Sequence, residues 1–131
     1  MTPRVLIVDD EPHLLRLLVR VLERAGLEVV GVADGTAAID ALAPGRPDFA
    51  AVVLDVHVPP RGAGEVLDAL DTPGTAEARP GLVVVSGEDP GPALRARIEA
   101  DGGCFLRKPF LPDALLDTVR GVLRDPPGAA G

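Results

Sequence analysis

The sequence predicts an α/β domain, a parallel sheet with helices on both of its faces. Three observations lead there. Apolar runs of strand length alternate along the chain with segments whose apolar residues recur at helical spacing. The strand runs are continuously apolar rather than alternating, as in strands covered on both sides. The 131 residues make one ordinary domain, with no room for a second.

Taken in order, residues 4–8 (Arg-Val-Leu-Ile-Val) are the first strand. Asp9-Asp10-Glu11-Pro12 ends it and opens a helix. An acid is expected to cap the first turn, and Pro suits the first helical position. Leu14, Leu17, Leu18, Val21 and Leu22 form the apolar stripe of that helix, with Arg16, Arg20, Glu23 and Arg24 opposite and Gly26 as its stop. The unit then repeats. Strands are expected at 27–32, 49–54, 82–85 and 103–106, and helices at 36–42, 65–70, 93–100 and 112–124. Residues 56–64 read as a Pro/Gly-rich loop, and 71–81 as a polar, turn-rich one. Residues 125–131 read as a flexible tail or linker stump after a domain spanning 1–124.

Composition narrows the function. A hydrophobic fraction of 47 % supports a core, and with three Phe, no Trp and no Tyr that core must be aliphatic. A net charge of −7 repels a phosphate backbone, so direct nucleic-acid binding is not expected. One Cys permits no internal disulfide and suits a reducing compartment. Cys104, on a short strand, is expected to be core or partial core, and His13 a solvated first-turn residue. The apolar run at 5–8 is too short for a signal peptide or a membrane span, so a cytoplasmic protein without membrane contact is expected.

Ligands of parallel sheets bind beyond the carboxyl ends of the strands. There this sequence places Asp9-Asp10, Asp55, Ser86 and Lys108. Singly, each has a bland reading as a cap, a turn former or a solvated charge. Together they form a chemical set. Three neighbouring carboxylates repel unless a cation joins them. Hard oxygen donors without a His/Cys cluster suit Mg2+. An ammonium and a hydroxyl match phosphoryl oxygens, and a carboxylate can itself accept a phosphoryl group.

Val-Asp9-Asp10-Glu-Pro, Leu-Asp55-Val-His57-Val-Pro59, Val-Ser86-Gly and Leu-Arg-Lys108-Pro-Phe110, in order and in register, resemble the receiver domain of two-component response regulators, the CheY-like family. The resemblance implies a doubly wound, flavodoxin-like sheet of order 2-1-3-4-5 with five helices. It implies Asp55 as phosphoacceptor. Asp10 and Asp55 would then be direct Mg2+ ligands, Asp9 would act through water, and the His57 backbone carbonyl would be a further ligand. It further implies that Ser86 and Lys108 bind the phosphoryl group and that Lys108–Pro109 is a cis bond. Phe105 stands at the switch aromatic's position, without the hydroxyl a Tyr would bring. His57 and Glu88 flank the path of the attacking water and are expected to tune the lifetime of the phosphorylated state. The implied partners are a sensor histidine kinase or phosphotransfer protein, and an output domain or effector. A homodimer through the fourth helix, fifth strand and fifth helix is a further implied use. The domain would catalyse only its own phosphorylation and dephosphorylation.

Two departures bear on loops. Ala63 stands where the family usually has Gly, and Gly87 where Ala is commoner. Three rival readings were weighed. A haloacid-dehalogenase-type phosphatase needs an Asp two residues past its nucleophile, where His57 stands. A flavin module needs a phosphate-cradling loop after the first strand, and Asp9-Asp10-Glu11 has the wrong charge for one. A phosphorylation-independent pseudo-receiver used as a binding module is the third.

Overall fold

The strands owe their place to β-branched and leucine runs, and the helices to their apolar stripes and proline starts. In the computed structural model, which describes residues 2–57, 63–71 and 79–123, these become ten elements. They are β1 (Arg4–Val8), α1 (Pro12–Arg24), β2 (Glu28–Val32), α2 (Gly35–Ala41), β3 (Ala51–Asp55), α3 (Ala63–Leu70), β4 (Gly81–Ser86), α4 (Pro92–Ala100), β5 (Cys104–Arg107) and α5 (Pro112–Val122). The sheet is parallel throughout, in the order β2-β1-β3-β4-β5. The expected tail at 125–131 and the loop residues 58–62 lie outside the described residues. Among the described residues, no helix is long and apolar enough to cross a membrane.

Successive strand side chains point to opposite faces, so the continuous apolar runs feed two cores. Leu6, Val8, Val52, Leu54, Leu82 and Val84 meet Ala38 of α2, Val66 and Leu67 of α3 and Ile98 of α4. Val5, Ile7, Ala51, Val53, Val83 and Val85 meet Leu18 and Leu22 of α1 and Leu115 and Val119 of α5. This explains why β1, β3 and β4 lack polar alternation. Gly26 ends α1 with φ of 92°, a conformation that favours glycine. At Gly81 a Cβ would lie 1.8 Å from the Val122 carbonyl oxygen, so α5 can seat against β4 only over a glycine.

Several boundaries differ from expectation. Strand β3 begins at Ala51 rather than at residue 49, and it ends on Asp55, as β4 ends on Ser86. Helix α3 begins at Ala63, inside the stretch read as loop. Cys104 is exposed, not core, because β5 is an edge strand with a neighbour on one side only. Helix α1 has no side-chain cap: Glu11 occupies the N-cap position, but its carboxylate makes no capping bond. Asp9 instead accepts the Glu11 N–H, at 2.9 Å.

Candidate phosphoacceptor site

The register of the ladder assembles the site. Val8 pairs with Leu54, so Asp9 and Asp55, each one residue further, stand side by side at the carboxyl ends of β1 and β3. Asp55 pairs with Val85, which sets Ser86 one step beyond. Ser86 pairs with Arg107, which sets Lys108 beyond that. A backbone bond from Lys108 N–H to the Ser86 carbonyl, at 2.8 Å, fixes the end of β5 to the end of β4. The Lys108–Pro109 peptide is cis, as the resemblance implies.

Lys108 reaches from there into the acids. Its ammonium donates to Asp55 Oδ2 at 2.9 Å, to Glu11 Oε1 at 3.0 Å and to Asp9 Oδ2 at 3.1 Å. The side chains of Asp9 and Asp55 are 3 % and 7 % exposed, whereas that of Glu11 is 62 % exposed. Burial alone would lower the Lys108 ammonium's pKa, but its bonds to Asp55, Glu11 and Asp9 outweigh burial and raise it. Asp9 goes the other way for a carboxylate. Desolvation raises its pKa, and neither the Glu11 N–H nor Lys108 fully reverses the rise, to which the Asp55 charge adds.

The acid group differs from the expected one. Asp9, Glu11 and Asp55 offer carboxylate oxygens within 4.8 Å of one another, while Asp10 is exposed and stands outside that group. A bend at Asp10, closed by the Glu11 N–H to Asp9 Oδ1 at 2.9 Å, brings Glu11 back beside Asp9. The nearly buried Asp9 and Asp55 offer hard oxygen donors that fit a hard divalent ion, and Glu11 lies at the rim. Asp10 and the His57 carbonyl as ligands rest on the resemblance.

The remaining predicted residues sit around this centre. His57 is exposed, and its backbone N–H donates to Asp55 Oδ1 at 2.9 Å. Both Asp55 oxygens are therefore engaged, one by the backbone and one by Lys108. Ser86 is fully buried, and its hydroxyl accepts the Glu88 N–H at 3.1 Å. The Glu88 residue itself is exposed. Phe105 is partly buried against the core shared with α4, and the Arg95 guanidinium lies 5.1 Å from its ring centroid. Arg95 also pairs with Asp89 of the β4–α4 loop, at 3.7 Å. His13 is exposed beside Arg16, away from the acids. Sequence reasoning passed over Glu11 as a site residue and Arg95 as the neighbour of Phe105. The i, i+2 spacing from Asp9 was the available signal for Glu11; nothing in the sequence signalled Arg95.

A doubly wound parallel sheet with buried carboxylates, a hydroxyl and a lysine at one mouth is the frame of a signalling receiver. The response regulator receiver domain model matches residues 5–120, and the chain belongs to that family. It is 36 % identical over 124 residues to response regulator MprA of Mycobacterium tuberculosis, covering 95 % of this chain and 52 % of that protein. It is 36 % identical over 117 residues to the sensory/regulatory protein RpfC of Xanthomonas campestris, covering 88 % of this chain and 16 % of that one. The chemotaxis response regulator CheY4 of Vibrio cholerae superposes with a TM-score of 0.80 at 27 % identity, covering 94 % of this chain and all of that one. The chain thus spans about half the length of MprA and a smaller part of RpfC.

Proposed function

We propose that this receiver domain accepts a phosphoryl group on Asp55 from a sensor histidine kinase or phosphotransfer protein, in the cytoplasm, with Mg2+ as cofactor. One observation carries the reading. A nearly buried Asp55 has one oxygen held by a backbone N–H and the other by the sole lysine of the chain, within reach of Asp9. Phosphoryl transfer asks chiefly for positioning and charge neutralisation. The His57 N–H orients the Asp55 carboxylate. Lys108 offers the incoming oxygens an ammonium, and Ser86 its hydroxyl proton, which accepting the Glu88 N–H leaves free. Asp9 and Asp55, with Asp10 and the His57 carbonyl by resemblance, would hold the magnesium ion. When bound, it neutralises the charge that gathers on the phosphoryl oxygens.

The donor has a surface to approach. Arg16, Arg20 and Arg24 recur every four residues on the exposed side of α1. They enter no ion pair with a described acid, unlike Arg4, Arg46, Arg79, Arg95 and Arg97. Leu17 and Leu111, 46 % and 75 % exposed, lie on this helix and on the loop before α5. An acidic, amphipathic donor helix suits that surface.

Output runs to the face of α4, β5 and α5, through Ser86 drawing in the β4–α4 loop and Phe105 turning inward. There an effector, an output domain or a second copy would read it. His57 and Glu88 tune the phosphoryl lifetime. Residues 1–124 are the receiver, and 125–131 its tail or linker stump.

The test is intact mass after incubation with acetyl phosphate and Mg2+. One phosphoryl group is expected on the parent, none on Asp55→Asn, and none on the parent in excess chelator. Equal labelling of Asp55→Asn and the parent would refute the assignment.

A further inference from the structure

An ammonium has three N–H donors, and in this structure three carboxylates take them. Two of these partners, Asp9 and Asp55, are nearly buried, and the third, Glu11, lies at the rim. A divalent ion that engages Asp9 and Asp55 competes with Lys108 for the same oxygens. The two cations then repel at short range in a partly desolvated setting, and Lys108 has to yield. A cleft of about 370 Å³ opens on one side of it, lined by Glu11, Leu14, Lys108, Pro109 and Phe110. Glu11 is the only acid in that lining; the other neighbours are apolar and offer an ammonium nothing.

We propose that Glu11 is a positioning residue of the phosphoacceptor site, the carboxylate onto which Lys108 withdraws when a divalent ion enters between Asp9 and Asp55. The inference rests on the reading of the site given above. Glu11 acts through Lys108 and not on the ion. It keeps the ammonium at the lip of the mouth, charged and within one side-chain swing of Asp55, so that Lys108 can return to an arriving phosphoryl oxygen. Removing Glu11 leaves Lys108 with no second partner, so it clings to Asp9 and Asp55 and resists the ion.

The experiment is a double-mutant cycle read by direct Mg2+ titration in calorimetry or NMR. In the parent background, Glu11→Gln is expected to weaken Mg2+ binding about fivefold, a coupling typical of side chains in contact. In the Lys108→Met background the same change is expected to cost less than about twofold. Equal losses in both backgrounds overturn the proposal, because Glu11 then acts on the ion itself. Lys108 is the chain's only lysine, so lysine-labelled protein gives a single ε-methylene signal, and this readout stands even where Lys108→Met fails to fold. Saturating Mg2+ should move that signal to a new, ordered position in the parent and to a motionally averaged one in Glu11→Gln. Identical end points overturn the proposal. Absence of saturable Mg2+ binding in the parent overturns both this inference and the reading beneath it. Saturable binding that Asp55→Asn abolishes, without Glu11–Lys108 coupling, overturns this inference alone.

Discussion

At the mouth of the sheet one ammonium sits among three carboxylates; between α3 and α4 two guanidiniums sit among three others. There Arg97 donates to Asp68 at 2.7 Å and to Asp71 at 3.1 Å. Arg79 joins Asp71 to Asp101. The parts are alike, yet the acids respond in opposite directions. Asp71 is lowered below the ordinary carboxylate value, first by its bond to Arg79, which with the Arg79 charge and Arg97 outweighs desolvation. Asp9 is raised above it, although Lys108 is bonded to it. What differs is water: the Asp71 side chain is 44 % exposed and that of Asp9 only 3 %. A cation nearby does not by itself make an acid comfortable. At the mouth Asp9 is held in an environment that disfavours its charge, which is what keeps it receptive to a further cation. In the α3–α4 cluster water reaches the acids and two guanidiniums already face them.

The largest consequence concerns Lys108. Its loss strands Asp9 and Asp55 as buried charges without a partner, and breaking one side of a buried pair costs about 3 kcal/mol or more. Lys108→Met should therefore lower metal-free stability at neutral pH by about that amount, measured by urea unfolding in chelator. Excess Mg2+ should return part of the loss. A loss well under 1 kcal/mol would mean that water, not Lys108, balances these acids, and the contrast between the clusters would fail.

The mouth half of this contrast was legible in the sequence, and the α3–α4 half was not. The continuous runs at 5–8 and 82–85 gave strands, and the order of the strand ends gave Asp9, Asp55, Ser86 and Lys108 in one mouth. The family resemblance supplied the strand order, which local periodicity does not encode. Three things escaped for physical reasons. That Glu11 joins Asp9 depends on the bend at Asp10, which no periodicity marks. The exposure of Cys104 depends on β5 being an edge, a topological fact rather than a local one. The ion pairs of Arg97 and the Arg95–Phe105 stack join residues that no motif links, since surface arginines pair with whatever acid the fold brings near.

The pH dependence should separate the clusters next. The folded state raises Asp9, so it holds that proton more tightly than the unfolded chain does. The corresponding stability is present in full below the ordinary carboxylate value and is lost as pH climbs through the raised one. Asp9→Asn removes this loss while keeping an oxygen for the Glu11 N–H. In metal-free buffer it should therefore gain on the parent as pH climbs above the ordinary carboxylate value. Asp71 is lowered, so its contribution is present above the ordinary value and lost as pH falls through the lowered one. Asp71→Asn should thus lose ground against the parent as pH rises from the acid end. Urea midpoints across the range give both slopes. Slopes of the same sign would erase the distinction drawn from burial.

The smallest effect is expected at Arg97. Its guanidinium is raised above its ordinary value chiefly by Asp68, so the pairing is real in the folded state. The partners are nonetheless wet: the Asp68 side chain is 72 % exposed. An exposed pair contributes at most about 1 kcal/mol, because Coulomb energy is small in water and ordering two side chains opposes it. Salt should remove most of even that, since the screening length falls to about 3 Å near 1 M, comparable to the Arg97–Asp71 separation of 3.1 Å. Arg97→Ala should then lower the urea midpoint slightly at low ionic strength and hardly at all in concentrated sodium chloride. The Lys108→Met deficit should persist in the same salt, because monovalent salt screens little at the buried oxygens of Asp9 and Asp55. If the Arg97 deficit also survived salt, the α3–α4 cluster would be shielded in solution, and exposure would no longer explain why the two clusters differ.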